Sequence, residues 1–87
     1  MFVVIFGRAS CPYCVHAKAL AKKLKQNLEG MDYRYIDIVE EGISKADLSI
    51  SVGKPVETVP QIFIDEQPIG GFTDFAALVK EKYNIVL

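Results

Sequence analysis

Near its start the chain changes hydrophobic period once, and that change decides which class of fold it can enter. Phe2-Val3-Val4-Ile5-Phe6 is an unbroken β-branched and aromatic run, the pattern of a strand buried on both faces. Gly7-Arg8-Ala9-Ser10 interrupts it. From Pro12 the pattern is helical, with Ala17, Leu20, Ala21, Leu24 and Leu28 on one stripe and Lys18, Lys22 and Lys25 opposite. Gly30 is the expected stop. A buried strand that feeds an amphipathic helix needs a sheet to receive both, so the chain reads as α/β.

The remaining elements follow from the same signals. Tyr33 to Ile38 alternates as a second strand. Ser44, with Asp47 three residues on, opens a short helix that ends near Gly53. Gln61-Ile62-Phe63-Ile64 is a third strand, Asp65-Glu66 a tight turn and Gln67-Pro68-Ile69 a fourth strand. Pro68 cannot donate to a ladder, which sends that strand to a sheet edge. After Gly70-Gly71, Thr73 or Asp74 caps a last helix carrying Phe75, Leu78, Val79 and Tyr83. Crossover handedness makes the first two strands parallel, and the two-residue turn makes the last two antiparallel. The expected product is a four-stranded mixed sheet flanked by about three helices on both faces, the thioredoxin-like arrangement.

The 87 residues suit one domain, residues 1–87, with no repeat or low-complexity stretch. Apolar residues make up 51% and charged residues 24%, a composition that excludes disorder. Ten basic side chains stand against eleven acidic ones, so no general attraction for nucleic acid or anionic lipid is expected. The opening apolar run is too short to cross a bilayer and lacks a basic segment before it, so neither a signal peptide nor an anchor is expected. The group Lys18, Lys22, Lys23 and Lys25 reads as a solvated helix face, with steering of acidic partners as the alternative.

Two cysteines, Cys11 and Cys14, frame Pro12 and Tyr13 at the strand-to-helix junction. A bond between residues three apart closes one helical turn and staples nothing distant. Pro12 suits the first helical position because its missing N–H costs nothing there. Cys11 then falls at the N-cap, facing the free N–H groups of Tyr13 and Cys14 and the positive end of the helix dipole. Cysteines so placed titrate between about 3.5 and 7.5 rather than near 8.5. Cys11 is therefore the expected nucleophile. Cys14, one turn deeper, is expected to remain a neutral thiol until it resolves a mixed disulfide.

Other readings of the pair are weaker. A structural zinc site needs four ligands, and one cysteine pair with one histidine falls short, so no metal is expected. Covalent haem attachment needs histidine directly after the second cysteine, where Val15 stands. Two inert core cysteines are the bland alternative, which Pro12 and the junction argue against. His16 reads as a surface residue, because a thiolate stabilised by a helix end needs no base.

Three further segments join the cysteines. Thr58-Val59-Pro60 precedes the third strand; Pro60 is either a plain strand-opening residue or part of a cis bond presenting the Val59 backbone to Cys11. Gly70-Gly71-Phe72-Thr73-Asp74 is a turn feeding a helix N-terminus, which either simply caps the helix or offers N–H donors to a carboxylate and Asp74 to an amine. Arg8 is a solvated arginine or the partner of another carboxylate, and Tyr13 is too exposed in pattern for core duty.

Taken together, Cys-Pro-Tyr-Cys, Thr-Val-Pro and Gly-Gly-Phe-Thr-Asp at these spacings resemble the dithiol glutaredoxins over nearly the whole chain. The resemblance implies a thiol–disulfide oxidoreductase acting through Cys11 and Cys14, with glutathione as co-substrate and no permanently bound cofactor. It further implies a glutathione site at Arg8, Tyr13, Thr58, Val59, Pro60, Gly71, Phe72, Thr73 and Asp74, with Pro60 cis. Val59 would pair with the cysteinyl unit, Thr73 and Asp74 would hold the γ-glutamyl end, and Arg8 would meet the glycyl carboxylate. Phe72 stands where many relatives carry tyrosine.

Implied partners are disulfide-bonded or glutathionylated proteins, ribonucleotide reductase among them by analogy, for a cytoplasmic monomer that binds neither nucleic acid nor membrane. Two rivals remain: a dimer holding a [2Fe–2S] cluster with glutathione, which the rigid Pro12 disfavours, and a thioredoxin-like reductase fed by a flavoprotein. The apolar tail Asn84-Ile85-Val86-Leu87 either packs back on the sheet or supports self-association.

Overall fold

The computed structural model describes residues 1–87 and runs β1 (Phe2–Gly7), α1 (Pro12–Asn27), β2 (Asp32–Asp37), α2 (Lys45–Val52), β3 (Gln61–Ile64), β4 (Gln67–Gly70) and α3 (Phe72–Tyr83). The strands form one sheet in the order β2-β1-β3-β4. β1 pairs parallel to β2, with Ile5 opposite Tyr35, and antiparallel to β3, with Ile5 opposite Ile62. The β3–β4 hairpin turns on Asp65 and Glu66, both at positive φ, and leaves Pro68 on an edge strand as its missing donor requires.

One face of the sheet carries the main core. Val3, Ile5 and Ile62 meet Ala17, Leu20, Ala21 and Leu24 of α1 and Phe75 and Val79 of α3, all buried. On the other face Leu48 of α2 packs with Ile38 and Val56 against Phe6. Helices therefore cover both faces, but unequally.

That inequality corrects the expectation for β1. Its burial alternates: Val3, Ile5 and Gly7 are buried, whereas Val4 and Phe6 are half-buried and Phe2 is exposed. The eight residues of α2 are too few to roof the second face. A concavity of about 640 Å³ remains there, lined by Phe2, Val4, Phe6 and Phe63. An apolar run states what a strand tolerates, not how long its neighbouring helix is.

Two helix ends also differ from expectation. α1 stops at Asn27 with Leu28 as an extended cap whose N–H donates to the Leu24 carbonyl, so Gly30 belongs to the following turn. Leu28 still packs on the core. The N-cap of α3 is Gly71, not Thr73 or Asp74; Asp74 is the third helical residue and accepts the Gly71 N–H at 3.2 Å. A carboxylate can cap from either position, and the short Gly-Gly turn selects the later one.

The α2 cap is as expected, a reciprocal pair in which Ser44 Oγ accepts the Asp47 N–H at 3.0 Å and Asp47 Oδ2 accepts the Ser44 N–H at 2.9 Å. The Ser44 N–H, with the Ser44 hydroxyl, holds the Asp47 carboxyl below its ordinary 3.8. A depressed carboxyl pKa contributes stability above that ordinary value and loses it as pH falls through the lowered one. Ser44→Ala removes the oxygen that accepts the Asp47 N–H and should lower unfolding stability by about 1 kcal/mol in urea at pH 7. Asp47→Ala should also destabilise at pH 7, and its deficit should shrink in acid below pH 3.8, where the wild-type carboxylate becomes protonated. The tail packs back on the main core through Ile85, and Lys23 Nζ of α1 donates to the Val86 carbonyl. No helix is long and apolar enough to cross a membrane.

Candidate active site

The turn after β1 brings the chain back on itself, with the Cys11 N–H donating to the Arg8 carbonyl at 3.3 Å. Cys11 is the N-cap of α1 and Pro12 its first residue, as the dipeptide demands. Cys11 Sγ accepts the Cys14 N–H at 3.2 Å. Of the two expected donors, only this one, at the third helical residue, makes the bond; the Tyr13 N–H does not. An amide at a helix N-terminus favours negative charge on the atom it addresses. Across the site, Cys11 Sγ donates to the Val59 carbonyl at 3.6 Å.

Both cysteines are free. Cys11 retains 8% exposure and Cys14 none, so only the first presents an edge to a substrate. Burial pushes the Cys14 thiol up to about 11, helped by Cys11 and opposed by the Arg8 amide and the Tyr35 hydroxyl. At neutral pH Cys14 is a protonated thiol.

The Val59–Pro60 bond is cis. Beside Cys11 lies a cleft of about 400 Å³ lined by Tyr13, Thr58, Val59, Pro60, Gly71, Phe72, Thr73 and Asp74. Its two walls come from two segments that β3 and β4 separate in sequence. One is the Thr58–Pro60 segment leading into β3, steadied by Gln61 Nε2 donating to the Thr58 carbonyl at 2.9 Å. The other is the N-terminus of α3, where Gly71 has no side chain to occupy the first-turn N–H groups. Gly70 is obligatory behind this wall: its φ is +107°, and a Cβ there would run into the Asp74 carboxylate.

Eight of the nine positions implied as ligand contacts thus meet in one cleft; Arg8 is not among its lining residues. The Arg8 backbone is engaged instead, its carbonyl accepting from Cys11 and from the Tyr35 hydroxyl at 3.2 Å, while its side chain is exposed.

Tyr13 is 61% exposed and stacks on Phe72, with ring centroids 6.1 Å apart. His16 completes an aromatic group, edge-on to Tyr13 at 6.2 Å and tilted against Phe72 at 5.8 Å. His16 is at the surface as expected, but it is not isolated. Its spacing of three from Tyr13 on one helix was the available signal. Tyr35 is the second neighbour that sequence reasoning passed over, since its alternation with Tyr33 signals a strand face and not what lies beyond it.

The sequence profile of the glutaredoxin family matches residues 3–69. The chain belongs to the glutaredoxin family. Glutaredoxin of Haemophilus influenzae is 72% identical over 86 residues, covering 99% of each chain. The structure of reduced Escherichia coli glutaredoxin superposes with a TM-score of 0.88 at 60% identity, covering 98% of this chain and all of that one. A buckwheat glutaredoxin in complex with glutathione superposes at 0.67 with 28% identity, covering 91% of this chain and 67% of that one. The mixed sheet and three helices are accordingly the thioredoxin-like fold of glutaredoxins, and Cys11 and Cys14 are its dithiol pair. The protein is a thiol–disulfide oxidoreductase.

Proposed function

We propose that this glutaredoxin is glutathione-dependent and reduces both protein–glutathione mixed disulfides and protein disulfides, with residues 1–87 acting as one domain. The observation that carries the reading is the cleft beside Cys11, whose two walls offer complementary chemistry to a peptide thiol with two carboxylates and one ammonium. The Val59 backbone is the pairing partner for the cysteinyl unit. The open first turn of α3, at Phe72 and Thr73, receives the γ-glutamyl carboxylate, and Asp74 receives the ammonium. Tyr13 and Phe72 cover the ligand's apolar side. Arg8, outside the cleft, attracts the glycyl carboxylate at longer range. The glutathione complex of the buckwheat relative supports the same class of ligand.

In this mechanism Cys11 attacks the glutathione sulfur of a glutathionylated protein, and the protein sulfur departs with the electron pair and takes up a proton. The glutathionyl group stays on Cys11 until a second glutathione releases it as glutathione disulfide. With a protein disulfide, Cys11 forms a mixed disulfide with the client and Cys14 displaces it. The clients are disulfide-bonded or glutathionylated proteins, ribonucleotide reductase included by analogy. Two cysteines three residues apart are not the disulfide framework of a secreted mini-protein, and a cytoplasmic monomer completes the proposal.

Reductant preference tests it. With a small mixed disulfide as substrate, turnover coupled to glutathione and glutathione reductase should exceed turnover fed by a thioredoxin reductase at least tenfold, by about 1.4 kcal/mol or more. Equal turnover, or a preference for the flavoprotein, would reject glutathione dependence.

A further inference from the structure

We propose that the Tyr35 hydroxyl is a catalytic hydrogen-bond donor to the Cys14 sulfur during disulfide exchange. The inference rests on the assignment of Cys14 as the resolving thiol and deepens it. Gly7, buried at the end of β1, marks the place. A Cβ on Gly7 would stand 2.5 Å from Tyr35 Oη and 2.9 Å from Cys14 Sγ. The two polar ends therefore converge on one small space that exists because residue 7 has no side chain. The sheet register delivers this: Tyr35 lies opposite Ile5 on the parallel neighbour strand, and its hydroxyl reaches forward past the end of β1.

The hydroxyl has one hydrogen and two acceptors in reach. In the dithiol that hydrogen goes to the Arg8 carbonyl, at 3.2 Å. A hydroxyl rotor turns to whichever acceptor carries more charge. Once Cys14 becomes anionic, its sulfur outcompetes a neutral carbonyl. The sulfur is wholly buried, so water does not supply this bond. Burial and the neighbouring Cys14 push Tyr35 up to about 12, which keeps it a donor throughout. The charged and titratable groups around it are Lys18, whose ammonium sits 5.1 Å from the ring centroid, Asp37 on β2, and the two cysteines of α1.

Charge reaches the Cys14 sulfur twice in the cycle. In the forward step Cys14 attacks the Cys11 sulfur of the client mixed disulfide and gives up its proton, which ends on the departing client sulfur. The Cys11–Cys14 bond forms, the Cys11–client bond breaks, and the client sulfur leaves with the electron pair and takes up a proton. In re-reduction an incoming thiolate attacks Cys11, and Cys14 leaves with the pair. A donor at Cys14 lowers the barrier in both directions. It has no part in the route that uses Cys11 alone.

The test is Tyr35→Phe, which keeps the ring and the Lys18 contact. Single-turnover reduction of the oxidised protein by dithiothreitol should slow about tenfold, the worth of one hydrogen bond to a charged group. In a Cys11→Ser background, the Cys14 Cβ carbon resonance should titrate about one pH unit higher when Tyr35→Phe is added than when Tyr35 is kept. Neither readout involves glutathione, so both survive a failure of glutathione dependence. Should Tyr35→Phe fold poorly, 3-fluorotyrosine at position 35, a stronger donor, should move the same titration downward. An unchanged Cys14 titration, or equal slowing of exchange at Cys11 in a Cys14→Ser background, would overturn the proposal.

Discussion

Cys11→Ser should reduce thiol–disulfide exchange to the uncatalysed background, whereas Cys14→Ser should close one route and leave the other open. The asymmetry follows from burial and from the helix end. Cys11 Sγ alone combines an exposed edge with an amide donor, the Cys14 N–H at 3.2 Å, and it faces the cleft across from the Val59 carbonyl. Cys14 has no exposed surface, and its thiol is pushed up to about 11, so it cannot substitute as the attacking group at neutral pH. A serine hydroxyl at position 11 does not attack sulfur. With Cys14→Ser, the proposed exchange of glutathione at Cys11 should persist, but a client joined to Cys11 has no internal thiol to displace it. A glutathione-coupled assay on a small mixed disulfide should therefore detect the Cys14 variant and not the Cys11 variant. With a protein disulfide, mass spectrometry should find the client trapped on Cys11. Folding does not confound the comparison, because the serine hydroxyl at position 14 finds the Arg8 amide and Tyr35 hydroxyl beside it. Appreciable turnover by Cys11→Ser would overturn the assignment.

Local features were legible because local physics sets them. The Ser44–Asp47 cap, Pro12 at the first turn of α1, and the Asp65-Glu66 hairpin each depend on a few adjacent residues, and each stands where expected. The positions that line the cleft were legible through motif resemblance, not periodicity: Thr58 and Thr73 show no pattern that would bring them together. What was not legible depends on partners far away in sequence. The outer face of β1 stays partly open because α2 is short, a fact outside the β1 residues themselves. The place of Arg8 outside the cleft follows from how the turn at residues 8–10 returns to Cys11. Tyr35 meets Cys14 through the β1–β2 register and the missing side chain of Gly7, and neither shows in a helical or strand period.

Phe75→Ala should cost about 3–5 kcal/mol, the range for deleting a fully buried aromatic ring. Phe75 has no exposed surface and joins α3 to the α1 stripe and to Val3, Ile5 and Ile62 of the sheet. A chain of 87 residues has a total stability of roughly 4–13 kcal/mol, at about 0.05–0.15 kcal/mol per residue, so this one truncation removes a large share of it. The consequence for function is specific, because α3 also supplies one wall of the cleft at its first turn. Loosening the helix three residues downstream of Phe72 should disperse the N–H groups at Phe72 and Thr73 before the dithiol itself is disturbed. Urea unfolding should show the midpoint falling sharply. At temperatures where the variant remains folded, glutathione-coupled turnover should lose apparent affinity for glutathione more than maximal rate. Phe75→Leu, which restores most of the volume, should recover most of both. A stable Phe75→Ala protein with wild-type glutathione dependence would mean that α3 is held in place by something other than this core, and the account of the cleft wall would have to be rebuilt.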